Sequence, residues 1–291
     1  VLHAPRIDLP GARPSTLPDG KTIAALAARS LLLELETWPK PGLVSHVDQG
    51  SHVDMDATTF RASARAIQPY FAAMSDAGAE GCDMWNLRII GLDAEAAMLE
   101  ATSGVNTHRG AIFGLGLLCA AAGARAAALV DHHVSLGAVV ASRWGRDIVD
   151  GPVLLHSHGE RARRRYGTGG ARAEAALGFP SVYQVGLPGL RRGARLAAID
   201  DEAQRVEACF ALISSVEDTN LLHRGGRDGL RFARQAAGRF IRCGGVGRPG
   251  WRAHARAVHE SFVARRLSPG GSADILAMSL FVDACEGGTV S

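Results

Sequence analysis

Gly110-Ala111-Ile112-Phe113-Gly114-Leu115-Gly116-Leu117-Leu118-Cys119-Ala120-Ala121-Ala122-Gly123-Ala124-Arg125-Ala126-Ala127-Ala128-Leu129-Val130 is too apolar, on every face of a helix, to lie against water. A helix that is hydrophobic all round is buried in a large core or crosses a membrane. Gly114, Gly116, Gly123 and Arg125 interrupt the run, whereas a bilayer span needs about 20 consecutive apolar residues. The reading is therefore a buried core helix, and a core helix must be wrapped by others.

Helical periodicity recurs on both sides of that run. It predicts helices at 20–37, 57–77, 84–102, 108–123, 132–145, 155–166, 170–178, 200–216, 227–243, 251–266 and 272–286. Trp38-Pro39-Lys40-Pro41-Gly42 ends the first, because two prolines forbid continuation. Asp54 or Asp56 can cap the second and Ser272 the last. Phe179 to Gly193, with Pro180, Pro188 and several glycines, reads as irregular and as a candidate boundary between two lobes. The expected fold is all-α, a compact domain of about eleven helices over 21–291 with polar, glycine-rich connections. Residues 1–20, with four prolines and no apolar signal core, read as a flexible arm and not a targeting peptide.

Composition agrees. Of 291 residues, 47% are hydrophobic and 5% aromatic, a balance of Ala and Leu over β-branched runs that favours helix over sheet. The net charge of +3 is too small for a nucleic-acid binder, and no basic stripe is organised. Only Lys21 and Lys40 are lysines, so nearly all positive charge is Arg, which suits bidentate phosphate contacts. Five scattered cysteines without a C-x-x-C pair point to reduced thiols in a cytoplasmic protein, with no partnership to a membrane.

Five polar segments carry candidate chemistry. Ser103-Gly104-Val105-Asn106-Thr107-His108-Arg109-Gly110 puts Asn, Thr, His and Arg beside the free N–H groups of a helix start, an arrangement suited to an anion. His108 and Arg109 would be cations in a first turn, opposing the helix dipole unless an anion offsets them. Pro39 to Ser45 stiffens a loop around Lys40, and Asp48, Asp54 and Asp56 follow within nine residues, suiting a hard cation such as Mg²⁺. His156-Ser157-His158, Arg163-Arg164-Arg165-Tyr166, Arg172 and Glu174 form the third. The two histidines diverge by about 200° on a helix, so they do not read as a metal pair. Asp218-Thr219-Asn220 with His223-Arg224-Gly225-Gly226 is the fourth, where Asp218 is a base, a metal ligand or a loop residue in an Asx-turn. Ser268-Pro269-Gly270-Gly271-Ser272-Ala273-Asp274 is the fifth, a candidate backbone nest for phosphate. Asp131-His132-His133 reads as a helix N-terminus, and neither a P-loop nor a Rossmann glycine motif occurs.

In this order the motifs resemble the triphosphoribosyl-dephospho-coenzyme A synthases, which prepare the prosthetic-group precursor for the acyl carrier proteins of malonate decarboxylase and citrate lyase. The matching residues include Trp38-Pro39-Lys40-Pro41-Gly42-Leu43-Val44, His52-Val53-Asp54-Met55-Asp56, Gly104 to Phe113, His158-Gly159, Arg165-Tyr166-Gly167, Arg172-Ala173-Glu174, Asp218 to Gly226 and Ser268 to Asp274. The wording at Thr37-Trp38-Pro39 and from Ala111 to Gly123 is more similar to the malonate decarboxylase branch. Ser103 departs from the pattern, where Gly is expected; if that position has positive φ, Ser is constrained there.

The resemblance implies a pentosyl transfer: ATP loses adenine at the ribosyl C1, and the 2′-hydroxyl of 3′-dephospho-coenzyme A takes its place. Expected with it are Mg²⁺ and a product passed on toward an acyl carrier protein; a homodimer is compatible. Asp54, Asp56, Asp218 and Asp274 are the carboxylates assigned to metal or base chemistry. Glu174 and His108 are assigned to proton transfer. Lys40, Arg109, Arg165 and Arg224 are assigned to phosphate, in segments that also contribute Gly42, Ser45, Asn106, Thr107, Gly110, His158, Tyr166, Arg172, Asn220, His223, Gly225, Gly226, Ser268, Gly270, Gly271 and Ser272. A competing reading keeps the carboxylates but uses water, making an all-helical Mg²⁺-dependent nucleotide or ADP-ribosyl hydrolase. Another makes the chain a non-catalytic adaptor for an acyl carrier protein.

Overall fold

Aspartate and serine start most helices here by the same device, a side-chain oxygen that accepts an otherwise orphaned N–H of the first turn. The computed structural model describes residues 18–152 and 165–287. Asp19 accepts from Thr22 N at 2.8 Å and opens α1 (Gly20–Leu35). Asp56 forms a capping box with Thr59 at the head of α2 (Ala57–Ala79), and Asp83 caps α3 (Met84–Ala101). The central helix α4 (Arg109–Ala126) is followed by α5 (Leu136–Asp150), which Ser135 caps, and α6 (Gly170–Ala176). A π-turn at Val182–Gly186 leads into α7 (Leu187–Leu196). The chain then forms α8 (Asp201–Ser215), α9 (Thr219–Arg242), α10 (Trp251–Val263) and α11 (Gly270–Glu286). Among the described residues there are eleven α-helices and no strand.

The apolar run that opened the sequence behaves as expected. In α4, Ala111, Ile112 and every residue from Gly114 to Ala124 are buried. Each fully buried Leu there contributes about 2 kcal/mol. No helix among the described residues is long and apolar enough to cross a membrane. Helices α2 and α4 approach closely in the core. A Cβ added at Gly78 would run into the Ala120 carbonyl, and one at Gly123 into the Ser75 carbonyl. Backbone therefore lies on backbone, which only glycine permits. All five cysteines are free.

Three expectations are corrected. The stretch 179–193 is not irregular: it holds the π-turn and most of α7, with Pro188 in the first turn, where its missing N–H costs nothing. Asp131-His132-His133 is not a helix start but an exposed turn, in which Asp131 accepts from His133 N at 2.8 Å; α5 begins five residues after Asp131. The third concerns 218–226, read as a loop ahead of a helix at 227. The helix starts at Thr219, because Asp218 caps it, and is broken only at Gly226, with φ 61° and ψ −160°. The predicted helix at 155–166 falls largely outside the described residues, as do His158 and most of the N-terminal arm.

Candidate active site

Four connections meet over the N-terminus of α4. The loop after α1 lies against the α10–α11 connection: Ser51 Oγ donates to Leu267 O at 2.6 Å, and His52 Nε2 pairs with Ser268 Oγ at 2.9 Å. Arg224, on the first turns of α9, ties the same place together. Its guanidinium donates to Ser51 O at 3.1 Å and Arg266 O at 3.2 Å, and lies 3.2 Å from His52 Nδ1. Asp218 joins α9 to α11. Its Oδ1 accepts from Asn220 N and Leu221 N, while its Oδ2 accepts from Ser272 N at 2.7 Å and Ser272 Oγ at 3.0 Å.

Between these connections lies a cavity of about 1150 Å³. Asn106, Thr107, His108, Arg109 and Gly110 line it from the start of α4 and the turn before it, Asn220, His223 and Arg224 from α9, and Ser268, Gly270, Gly271 and Asp274 from the start of α11 and the turn before it. Asp54, Arg172, Glu174 and Asp218 complete the expected residues found in its wall. Such a volume exceeds that of most single-ligand clefts. Lys40, Gly42, Ser45, Asp56, Arg165, Tyr166, Gly225, Gly226 and Ser272 are absent from the wall.

Those exceptions have local reasons. Lys40, expected on a phosphate, is fully buried behind the wall, with Nζ 2.5 Å from Glu34 Oε1 and 2.7 Å from Glu34 O. Ser45 Oγ accepts from Val47 N and Asp48 N, and a Cβ added at Gly42 would meet the Leu267 carbonyl, so both hold the loop in shape. Asp56 Oδ1 accepts from the Thr59 N–H and hydroxyl. Arg165 and Tyr166 stack on each other, the guanidinium carbon 5.4 Å from the ring centroid. Ser272 does not cap α11, which begins at Gly270; it faces Asp218 instead.

Within the wall, several groups differ from expectation. His108 and Arg109 are not a pair of unbalanced cations. Burial, with the charge of Lys40 second, pulls the His108 pKa down to about 3, so the ring is neutral. Arg109 Nε donates to Glu95 Oε2 on α3 at 2.8 Å, and its own N–H goes to Asn106 Oδ1 at 3.2 Å. Arg172 donates to the carbonyls of Ile148, Val149, Gly151 and Pro152 and so closes the C-terminus of α5. Asp218 has two acceptor bonds on each oxygen, the full capacity of a carboxylate.

The carboxylates share one buried region. Burial raises the pKa of Glu34, Asp218 and Asp274, and the negative charges of Glu34 and Asp218 add to burial at Asp274, which lies well above the usual range. Glu174 is also raised by burial, and its Oε1 accepts from Ser181 N at 2.6 Å. Sequence reasoning passed over Glu34, which lines the cavity from α1. The signal was present: Ala27, Leu31 and Glu34 follow helical spacing on the buried face, and a charge at such a position needs a partner.

A divalent cation would find its ligands here among the carboxylates of the wall. Among the described residues, the one group bringing three ligand atoms within 4.8 Å of one another is Asp131, His132 and His133, exposed and outside the cavity wall. Mg²⁺ does not require three, since it is commonly held by one or two carboxylates plus phosphates. Asp274, pressed toward its protonated form by burial and then by two neighbouring carboxylates, is the group a cation would ionise.

The comparisons with known proteins cover nearly the whole chain. The family model CitG, described as ATP:dephospho-CoA triphosphoribosyl transferase, matches residues 20–290. A protein of Stutzerimonas stutzeri, named a probable 2-(5''-triphosphoribosyl)-3'-dephosphocoenzyme-A synthase, is 42% identical over 269 residues, covering 90% of each chain. Proteins of the same name from Azotobacter vinelandii (41% identical, 90% of this chain and 91% of the relative) and Pseudomonas putida (38%, 94% and 97%) are similar throughout. No solved structure matches the chain.

Proposed function

This chain belongs to the ATP:dephospho-CoA triphosphoribosyl transferase family, and we propose that its cavity joins ATP to 3′-dephospho-coenzyme A with loss of adenine. It is a transferase, a triphosphoribosyl-dephospho-CoA synthase. In this reaction the bond from ribose C1′ to adenine breaks, and one from C1′ to the acceptor's 2′-oxygen forms. The hydroxyl proton ends on adenine, and the triphosphate stays on the transferred ribose.

One observation carries the reading: three segments far apart in sequence, 106–110, 218–224 and 268–274, wall a single cavity large enough for two nucleotides. Two polyanions held there repel one another, so cations must face them. Arg109 and Arg224 lie in the wall and serve that end. Charge that develops at C1′ resembles an oxocarbenium ion, which nearby carboxylates stabilise. Glu174 takes the hydroxyl proton: burial raises its basicity, and Ser181 orients one oxygen only. Asp218 acts by holding α9 against α11. Asp274, with Asp54 also in the wall, would hold Mg²⁺ together with substrate phosphates, and the ion would supply charge neutralisation. The similarity at 37–39 and 111–123 favours a product destined for the acyl carrier protein of malonate decarboxylase.

Purified protein with ATP, Mg²⁺ and dephospho-coenzyme A should release free adenine together with an adduct heavier by a triphosphoribosyl unit. Adenine or phosphate released from ATP alone, at the same rate, would make the chain a hydrolase instead.

A further inference from the structure

His108 is the wall residue with an unpaired buried atom. It is 3% exposed, and its Nε2 has no partner among the described residues. A buried polar atom left unpaired costs about 1–3 kcal/mol, a cost that a ligand can remove. The other ring nitrogen is committed. Thr107 Oγ1 donates to Ser63 Oγ at 2.7 Å, and Ser63 Oγ lies 2.6 Å from His108 Nδ1. With Thr107 donating, Ser63 keeps its own proton for Nδ1, which therefore accepts. The ring proton is then on Nε2.

The surroundings say what that proton meets. Val44, Met55 and Phe60 belong to a small apolar cluster separate from the main core, and all three line the cavity. Phe60 stands edge-to-face to the His108 ring, with centroids 4.9 Å apart. An apolar wall with one neutral donor suits a flat, uncharged acceptor, not a phosphate.

We propose that His108 presents a neutral Nε2–H donor to a ring nitrogen of an adenine base, in a subsite walled by Val44, Met55 and Phe60, with Ser63 as the positioning residue that fixes the tautomer. This deepens the reading above and rests on it, since both substrates carry adenine. His108 then binds and orients the base and does not shuttle protons. Lys40 is the charged group that acts on the ring, and its charge, like burial, keeps the ring uncharged.

Long-range proton–nitrogen NMR on histidine-labelled protein should show one ring held in the Nε2–H form from pH 8 down to pH 5, and Ser63→Ala should mix its tautomers. Calorimetry should show His108→Ala weakening one nucleotide about tenfold, the loss of one hydrogen bond, and His108→Gln recovering most of it. Tripolyphosphate, which lacks a base, should bind wild type and His108→Ala alike. An effect on ATP assigns the donor to the departing base, and one on dephospho-coenzyme A assigns it to the acceptor. An Nδ1–H or protonated ring at pH 6, or an equal loss for tripolyphosphate, would overturn the proposal while leaving the transfer reaction standing. A wild-type protein that binds neither nucleotide more tightly than tripolyphosphate would overturn both.

Discussion

Removing the Lys40 ammonium would leave the Glu34 carboxylate without its charge partner, since both side chains are buried and paired at 2.5 Å. Breaking one partner of such a pair costs about 3–5 kcal/mol. Lys40→Met should therefore lower stability by that order in urea denaturation. Unchanged stability with a raised KM for ATP would return Lys40 to the phosphates. The scarcity of lysine singled this residue out in the sequence, but its job was hidden, because the partner Glu34 lies in an otherwise ordinary apolar helix. Ser103 was more legible. Its departure from Gly raised the question of a positive φ, and its φ is 55°. A non-glycine residue there costs about 1 kcal/mol, so Ser103→Gly should raise the denaturation midpoint by a comparable amount. A lower midpoint would show that the Ser side chain contributes something the backbone argument omits.

Helices α2 and α4 touch backbone to backbone, and that contact places the first turn of α4 in the cavity wall. Gly123→Ala would push a methyl group against the Ser75 carbonyl, and overpacking of this kind costs about 1–3 kcal/mol. Thermal melts should show the loss; an unchanged melting temperature would mean the two helices have slack. Periodicity revealed most helices within a few residues, because an apolar stripe survives without knowledge of its partners. It failed where punctuation was ambiguous. Pro188 and the glycines of 179–193 looked like a loop, yet proline is welcome in a first turn and Gly189 lies directly against Ala208 of α8. Gly225-Gly226 looked like the end of a loop, yet Asp218 had already started the helix and only Gly226 breaks it. In both cases a cap or a neighbour decided, and neither is written in local composition.

At the scale of the molecule, the motifs announced anion binding one at a time, but no single segment could say that they face each other. That meeting depends on tertiary ties: Asp218 to Ser272, Arg224 to the carbonyls of Ser51 and Arg266, and His52 to Ser268. Several residues assigned to substrate by motif also make these ties and caps, a structural role that residue type alone did not reveal. What the ties build is one cavity of about 1150 Å³ walled by three distant segments, and amide hydrogen exchange tests it directly. With ATP and dephospho-coenzyme A both bound, amides in 104–112, 218–226 and 268–275 should slow together. Protection confined to one of these segments, or lying on surfaces outside the cavity wall, would contradict a shared site for the two nucleotides.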